Sequence, residues 1–298
     1  MDFLANYFSS LNPMSFLSAL PGNIAQGIIW GLMGLGVFLT FKLLNFADLS
    51  VDGSFATGGA VTAVMLIKGC PVWATIIVAI LAGLAAGLVT GLLHTLLGIP
   101  DILAGILTQI ALYSINLNIM GKSNLPISYR NYTLVVSASN INMAILVGLG
   151  ICAVVVAAMY WYFGTEQGST IRSTGSNPAM SKAQGININF TKVIALALSN
   201  GLVALSGSLF AQYQGFADIN MGRGAIVIGL AAVIIGEVLG EAIFRKHMNF
   251  IIRMLFVIVG GILYYIAMGI VLWLKMPTDD TKLFTAIIVA IFLAVPYL

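Results

Sequence analysis

From Cys70 to Pro100 the chain carries no Asp, Glu, Lys or Arg, and the same holds from Asn131 to Thr165, Val193 to Ala217 and Met254 to Leu274. Each run reaches the ~20 residues that a helix needs to cross hydrocarbon. In lipid only helices and closed barrels satisfy their own backbone, and the short alternating segments of a barrel are absent. The composition agrees: 8% of residues are charged, against ~25% in soluble domains. The expected fold is therefore an all-α polytopic membrane protein with about 8–10 transmembrane helices.

Nine spans are expected, at about Asn23–Leu44, Leu49–Ile67, Val72–Leu97, Ile102–Met120, Ile141–Phe163, Val193–Tyr213, Gly224–Ile243, Phe250–Trp273 and Leu283 to the C-terminus. Residues 1–20, with Pro13, Pro21 and the aromatics Phe3, Tyr7, Phe8 and Phe16, read as an irregular or interfacial lead-in. No cleaved signal peptide is expected, because Met1-Asp2-Phe3 opens no basic region. Gly83, Gly87 and Gly91, four apart, mark a helix face that lets a neighbour approach closely. Residues 121–140, with Lys122 and Arg130, read as a polar loop.

Ten residues, Asn45-Phe46-Ala47-Asp48-Leu49-Ser50-Val51-Asp52-Gly53-Ser54, put two carboxylates between apolar runs. The pattern returns at an offset of 170 as Phe216-Ala217-Asp218-Ile219-Asn220, and Gly31, Leu35 and Gly59 likewise meet Gly201, Leu205 and Gly229. This is an internal repeat of the transporter kind. One membrane domain, 1–298, is expected, with repeat one at about 22–163, repeat two at about 191–298 and a connecting segment at 164–190. Five crossings separate matching elements, and an odd number inverts them.

Basic residues orient the chain through two loops. Arg172, Lys182 and Lys192 lie in the long segment, and Arg245, Lys246 and Arg253 lie near the loop after span seven; Lys275–Lys282 offsets its charge with Asp279 and Asp280. With the first two cytoplasmic, the N-terminus is outside. The net charge of +3 is scattered and implies no nucleic acid. His94 and His247 have no companion at ligand spacing, nor do Cys70 and Cys152, so no metal is expected.

Carboxylates are costly in lipid, by ~2.5–3.5 kcal/mol at mid-membrane. Asp48 and Asp52 therefore line a translocation path or cap a broken helix, readings that are compatible. Path candidates are Asn45, Asp48, Asp52, Gln109, Tyr113, Asn116, Gln212, Asp218 and Asn220, although the amides also suit helix-to-helix bonding. Glu241 and Arg245 are spaced for a helical ion pair. In the long segment Asn177-Pro178 reads as a helix cap with proline in the first turn, and Gly185 as its end.

Ala47-Asp48-Leu49-Ser50-Val51-Asp52-Gly53-Ser54, followed by Thr57-Gly58-Gly59-Ala60-Val61, resembles a segment of ribose-type ABC permeases, with Asp52 as an insertion. Gly98-Ile99-Pro100 with Thr108 is similar to that family's turn-and-helix segment, and Gly168, Arg172, Gly175, Asn177, Ala183 and Gly185-Ile186 to its cytoplasmic segment. The resemblance runs from about residue 25 to 270 and includes branched-chain amino-acid permeases. One departure is that the family's Gly-Gly-x-Ser segment after the second repeat is not seen, and Gly236-Glu237-Val238-Leu239-Gly240-Glu241 stands nearby instead. This is similar to a divergent branch linked with aromatic amino-acid import.

The resemblance implies a permease subunit of an ABC importer for a small polar or zwitterionic solute, most plainly an amino acid, in the bacterial cytoplasmic membrane. It implies no chemistry and no cofactor on this chain, with ATP and Mg held by a partner ATPase. Its implied partners are ATPase subunits, an extracytoplasmic substrate-binding protein and a second copy of the chain. The coupling segment would comprise Arg172, Gly175, Asn177, Pro178, Ala179, Lys182, Gln184 and Gly185. An ion- or proton-coupled secondary transporter is the alternative, since inverted repeats and intramembrane aspartates serve it too.

Overall fold

The computed structural model describes residues 13–128, 132, 134–244, 248–274 and 281–294. The Glu241–Arg245 pair, Arg130, Lys246, His247, the charges at 275–280, the aromatics of residues 1–12 and the last four residues of span nine lie outside the described residues. The helices are α1 Pro13–Val37, α2 Val51–Ile67, α3 Val72–Leu97, α4 Asp101–Met120, α5 Ile141–Phe163, α6 Glu166–Ser176, α7 Pro178–Ala183, α8 Ile188–Gln214, α9 Ala225–Phe244, α10 Phe250–Trp273 and α11 Thr281–Ala294. Two short strands, β1 Asn124–Pro126 and β2 Phe216–Asp218, form an antiparallel ribbon.

Seven helices, counting α1 with its π-helical extension Phe38–Leu43, are long and apolar enough to cross a membrane; α2 is shorter. Every expected span has a helix. The lead-in differs: residues 13–20 are helical, and the helix runs on through Pro21. Pro21 removes a single bond from a helix whose inner half, from Ala25 onward, is held by burial.

The core is built on α1 and α8. Ser199 Oγ donates to the Gly36 carbonyl at 2.7 Å, and Ser206 Oγ donates to the Ile29 carbonyl at 2.7 Å. By the offset of 170, Ser199 matches Ile29 and Ser206 matches Gly36, so the two bonds are images of each other. As one chain number rises the other falls, which makes α1 and α8 antiparallel, as inverted repeats require. Around this pair the third helix of each repeat packs on the first helix of the other. Gly83, Gly87 and Gly91 of α3 all press on α8, where an added Cβ would meet Asn200 O at 2.3 Å, Leu196 O at 2.2 Å and Val193 Cα at 2.8 Å. Gly27 and Gly31 of α1 do the same against Ile262 and Ile258 of α10. Small residues here allow backbone-to-backbone packing where lipid supplies no hydrophobic drive between helices.

Helix α2 runs parallel to α8: Ser54 bonds Asn200 and Thr62 bonds Ser208. Asn200 lies roughly 18 Å along α8 from Ile188 at about 1.5 Å per residue, near the middle of a ~30 Å hydrocarbon layer. Helix α2 therefore starts at mid-depth, and the link from 44 to 50 with α2 makes a single crossing.

Candidate functional site

The two repeats break their helices with the same backbone devices. The π-turns of Phe38–Leu43 end at Leu44, and Asn45 takes φ +54°, the one positive value among described residues other than glycine. Its match, Gly215, takes φ +77° and ends α8. Asn tolerates the left-handed region where most side chains do not, which is why an amide stands at 45. In each repeat Phe-Ala-Asp follows, and the aspartate accepts the N–H two residues on: Ser50 N to Asp48 Oδ1 at 2.9 Å, Asn220 N to Asp218 Oδ1 at 2.7 Å.

The halves then diverge. Asp48 is fully buried, with Ser50 Oγ donating to Oδ1 at 2.5 Å and Asn200 Nδ2 to Oδ2 at 2.7 Å. Asn200 in turn donates to the Leu196 carbonyl and accepts from Ser54 Oγ at 2.5 Å. Every heavy atom of this carboxylate and amide has a partner. Asp218 instead sits in the β1–β2 ribbon opposite Asn124, whose Nδ2 lies 3.4 Å from Oδ2. The second stretch is thus a strand where a broken-helix hinge and a polar loop are expected from the sequence. The exposed backbone after Gly215 needs partners, and Ile127 N donates to Gly215 O while Ile219 N donates to Ser123 O to supply them.

Asp52 lies in the first turn of α2 and reaches across to the other repeat. Its Oδ2 accepts from Gly224 N and its Oδ1 from Ile226 N, each at 2.9 Å, so it caps α9. Gly222, the position matched to Asp52, approaches the Asp52 carbonyl so closely that a Cβ would stand 2.0 Å from it. Matched residues meet here because the symmetry axis passes between them. Two helix N-termini, each with a partial positive charge, converge on this carboxylate.

Beside Asp52 opens a cavity of about 280 Å³, walled by α2, α4 and the 219–223 turn. It gathers Asp52, Gln109, Tyr113, Asn116 and Asn220 from the expected path residues, and adds Arg223. Asn116 is fully buried, yet neither its Nδ2 nor its Oδ1 has a hydrogen-bond partner. Among the described residues Arg223 forms no ion pair; the ion pairs there are Lys42 and Arg253 with Glu237. The sequence reading missed Arg223, although the offset of 170 maps it onto Gly53, which lines the same cavity. A second cavity of about 330 Å³, bounded by residues such as Leu39, Ile80 and Val155, is almost wholly apolar and offers a polar solute nothing to bond.

Four path candidates lie elsewhere. Asn45 is exposed at the break, Asp48 is enclosed in its own cluster, and Gln212 accepts from Val135 N at 3.0 Å, tying α8 to the loop before α5. Asp218 borders the ribbon and not the cavity.

The connecting segment folds as two short helices. Asn177 caps α7 by accepting from Met180 N at 3.0 Å, Pro178 opens it, and Gly185 leaves it at φ +83°. Ala179, Lys182 and Gln184 are exposed. Two residues anchor this projecting helix to the membrane body. Arg172 donates to the Phe163 carbonyl at 3.0 Å and lies over the Phe250 ring, and Gly175 abuts Leu43, where a Cβ would stand 1.9 Å from the carbonyl oxygen. Leu43 is the last residue before the break that leads to Asp48.

Residues 22–296 match the family described as branched-chain amino acid transport system / permease component. Over 279 residues, covering 93% of this chain and 91% of its relative, the sequence is 42% identical to the tyrosine transport system permease protein of Clostridioides difficile. It is also 26% identical over 263 residues, 86% of the chain and 77% of the relative, to the D-allose transport system permease protein AlsC of Escherichia coli. Among solved structures, PsaBC from Streptococcus pneumoniae in complex with Fab shares the fold, with a TM-score of 0.56 at 16% identity over 99% of this chain and 95% of that one.

Proposed function

The chain belongs to the branched-chain amino-acid transport permease family, and from that premise we propose that it is the homodimeric membrane subunit of an importer whose solute is an aromatic or closely related amino acid. As an ABC permease it is a multi-pass protein of the bacterial cytoplasmic membrane and not an enzyme; ATP hydrolysis belongs to a separate subunit. The relative at 42% identity bears the name of a tyrosine transport system, which favours an amino acid over the sugar of more distant relatives. Membership of this family leaves the ion-coupled alternative without support.

The geometry that carries the mechanistic reading is the contact of Gly175 with Leu43. Helix α7 is the part of the connecting segment exposed enough for an ATPase to grip, and α6 joins it rigidly to the end of the π-segment. Movement of α7 would be passed to the broken link at 44–50 and so to α2, which starts at mid-depth. Switching of access between the two faces would follow as a rigid-body motion between packed states. The replacement of Asn177, Pro178 and Gly185 together tests this in proteoliposomes holding the permease, its ATPase and its binding protein. Loss of ATP-driven uptake and of binding-protein-stimulated ATP hydrolysis is expected; wild-type values of both would remove α7 from coupling.

A further inference from the structure

We propose that the cavity beside Asp52 is an α-amino-acid subsite of the transport path, in which the Arg223 guanidinium takes the solute's carboxylate and Asp52 its ammonium. The inference rests on the importer reading above and goes beyond it by assigning residues to the parts of the solute.

The first argument is the unused bonding capacity of the cavity. Gln109, Tyr113, Asn116, Asn220 and Arg223 line it without a side-chain hydrogen bond to any described residue. Asn116 is the most telling of these, because a fully buried amide with no partner costs about 1–3 kcal/mol. Asn116 lines the cavity, with both polar atoms closed to solvent behind its wall.

The second argument is charge. A neutral sugar needs donors and acceptors but no paired charges. Here Arg223, which has no carboxylate partner among the described residues, and the Asp52 carboxylate line the same cavity from different walls. A guanidinium presents a planar fork that matches a carboxylate in two parallel bonds. Asp52 uses one acceptor site on each oxygen for Gly224 and Ile226, and a carboxylate has about four. The remaining sites can receive an ammonium. Ile110, Ile219 and the Tyr113 ring supply an apolar wall for the solute's side chain.

Binding to the permease–ATPase complex in nanodiscs, with no binding protein present, tests the assignment with L-tyrosine, tyramine and D-ribose as probes. L-tyrosine is expected to bind, and tyramine, which lacks the carboxylate, to bind roughly tenfold or more weakly. Arg223→Gln should remove that discrimination by weakening L-tyrosine alone, and Arg223→Lys should restore part of it; as Arg223 is exposed, folding is not at issue. Equal binding of tyrosine and tyramine, unchanged discrimination in Arg223→Gln, binding of ribose in place of tyrosine, or no binding of L-tyrosine at millimolar concentration would each overturn the assignment. ATP-driven uptake by the same complex with its binding protein separates the two readings. Uptake of L-tyrosine with intact discrimination in Arg223→Gln sinks the subsite alone, whereas no ATP-driven uptake of any amino acid sinks the amino-acid importer as well.

Discussion

Two polar regions lie one helical turn apart at the start of α2, and they are built on opposite plans. Around Asp48 every polar atom has a partner inside the protein: Ser50, Ser54 and Asn200 close a buried network. Around Arg223 side chains with no hydrogen bond to any described residue border a cavity, and Asn116 in its wall is buried without a partner. A saturated cluster buried between helices has no means of recognising a solute, whereas an unsaturated one holds a cost that a solute can relieve. On this contrast we read Asp48 as architecture and propose the cavity as the seat of function. Asp52 belongs to both regions, since it caps α9 with part of its capacity and faces the cavity with the rest.

If the contrast holds, damage to the first region reads out as stability and damage to the second as transport. The largest effect is expected from Asn200→Leu, which leaves Asp48 Oδ2 and Ser54 without their partner inside the protein. A loss of about 3 kcal/mol is expected, seen as a fall in the thermal midpoint of the detergent-solubilised protein. An unchanged midpoint would remove the cluster's structural role. Gly175→Val comes next. The added side chain drives into the Leu43 backbone, and overpacking of this kind costs about 1–3 kcal/mol. Uptake per ATP hydrolysed should drop, because α6 no longer seats against the broken helix; a ratio equal to wild type would show that this contact carries no motion. Asp52→Asn should cost about 1 kcal/mol by weakening two charge-assisted caps on α9, while reducing L-tyrosine uptake more steeply than the stability loss explains. Parallel declines in the two would place Asp52 wholly in the first region.

The helices were legible because the bilayer allows few alternatives, and uncharged runs such as 70–100 and 131–165 fix both their type and their length. The reading of Asp48 as a cap of a broken helix led only to its neighbourhood: Asp48 accepts from Ser50 N, two residues on, while α2 takes Ser50 as N-cap with no side-chain cap bond. What stayed hidden depends on contacts distant in sequence. Three-residue strands such as Asn124–Pro126 carry no pattern of their own, and they form only because residues 216–219 bring unpaired backbone to them. Asn200 gave no sign that it would satisfy Asp48 from another repeat. Asp52 looked unexplained beside its match Gly222, yet the two touch, and its task of capping α9 follows from that proximity. Arg223 was concealed for the same reason. The repeat aligns it with Gly53, and only the folded axis brings both to one cavity. The helix across residues 13–20 shows the opposite error, where its prolines were read as marks of an irregular lead-in.

The smallest stability change, and the sharpest test, belongs to Asn116→Leu. This exchange removes an unpartnered buried amide and keeps the volume, so the folded protein should lose nothing and its thermal midpoint should equal or exceed that of wild type. ATP-driven uptake of L-tyrosine into proteoliposomes by this variant, normalised to folded complex, is the decisive measurement. The open cavity as functional centre predicts a drop of roughly tenfold or more with undiminished stability. Uptake at the wild-type rate from an equally stable variant would contradict it.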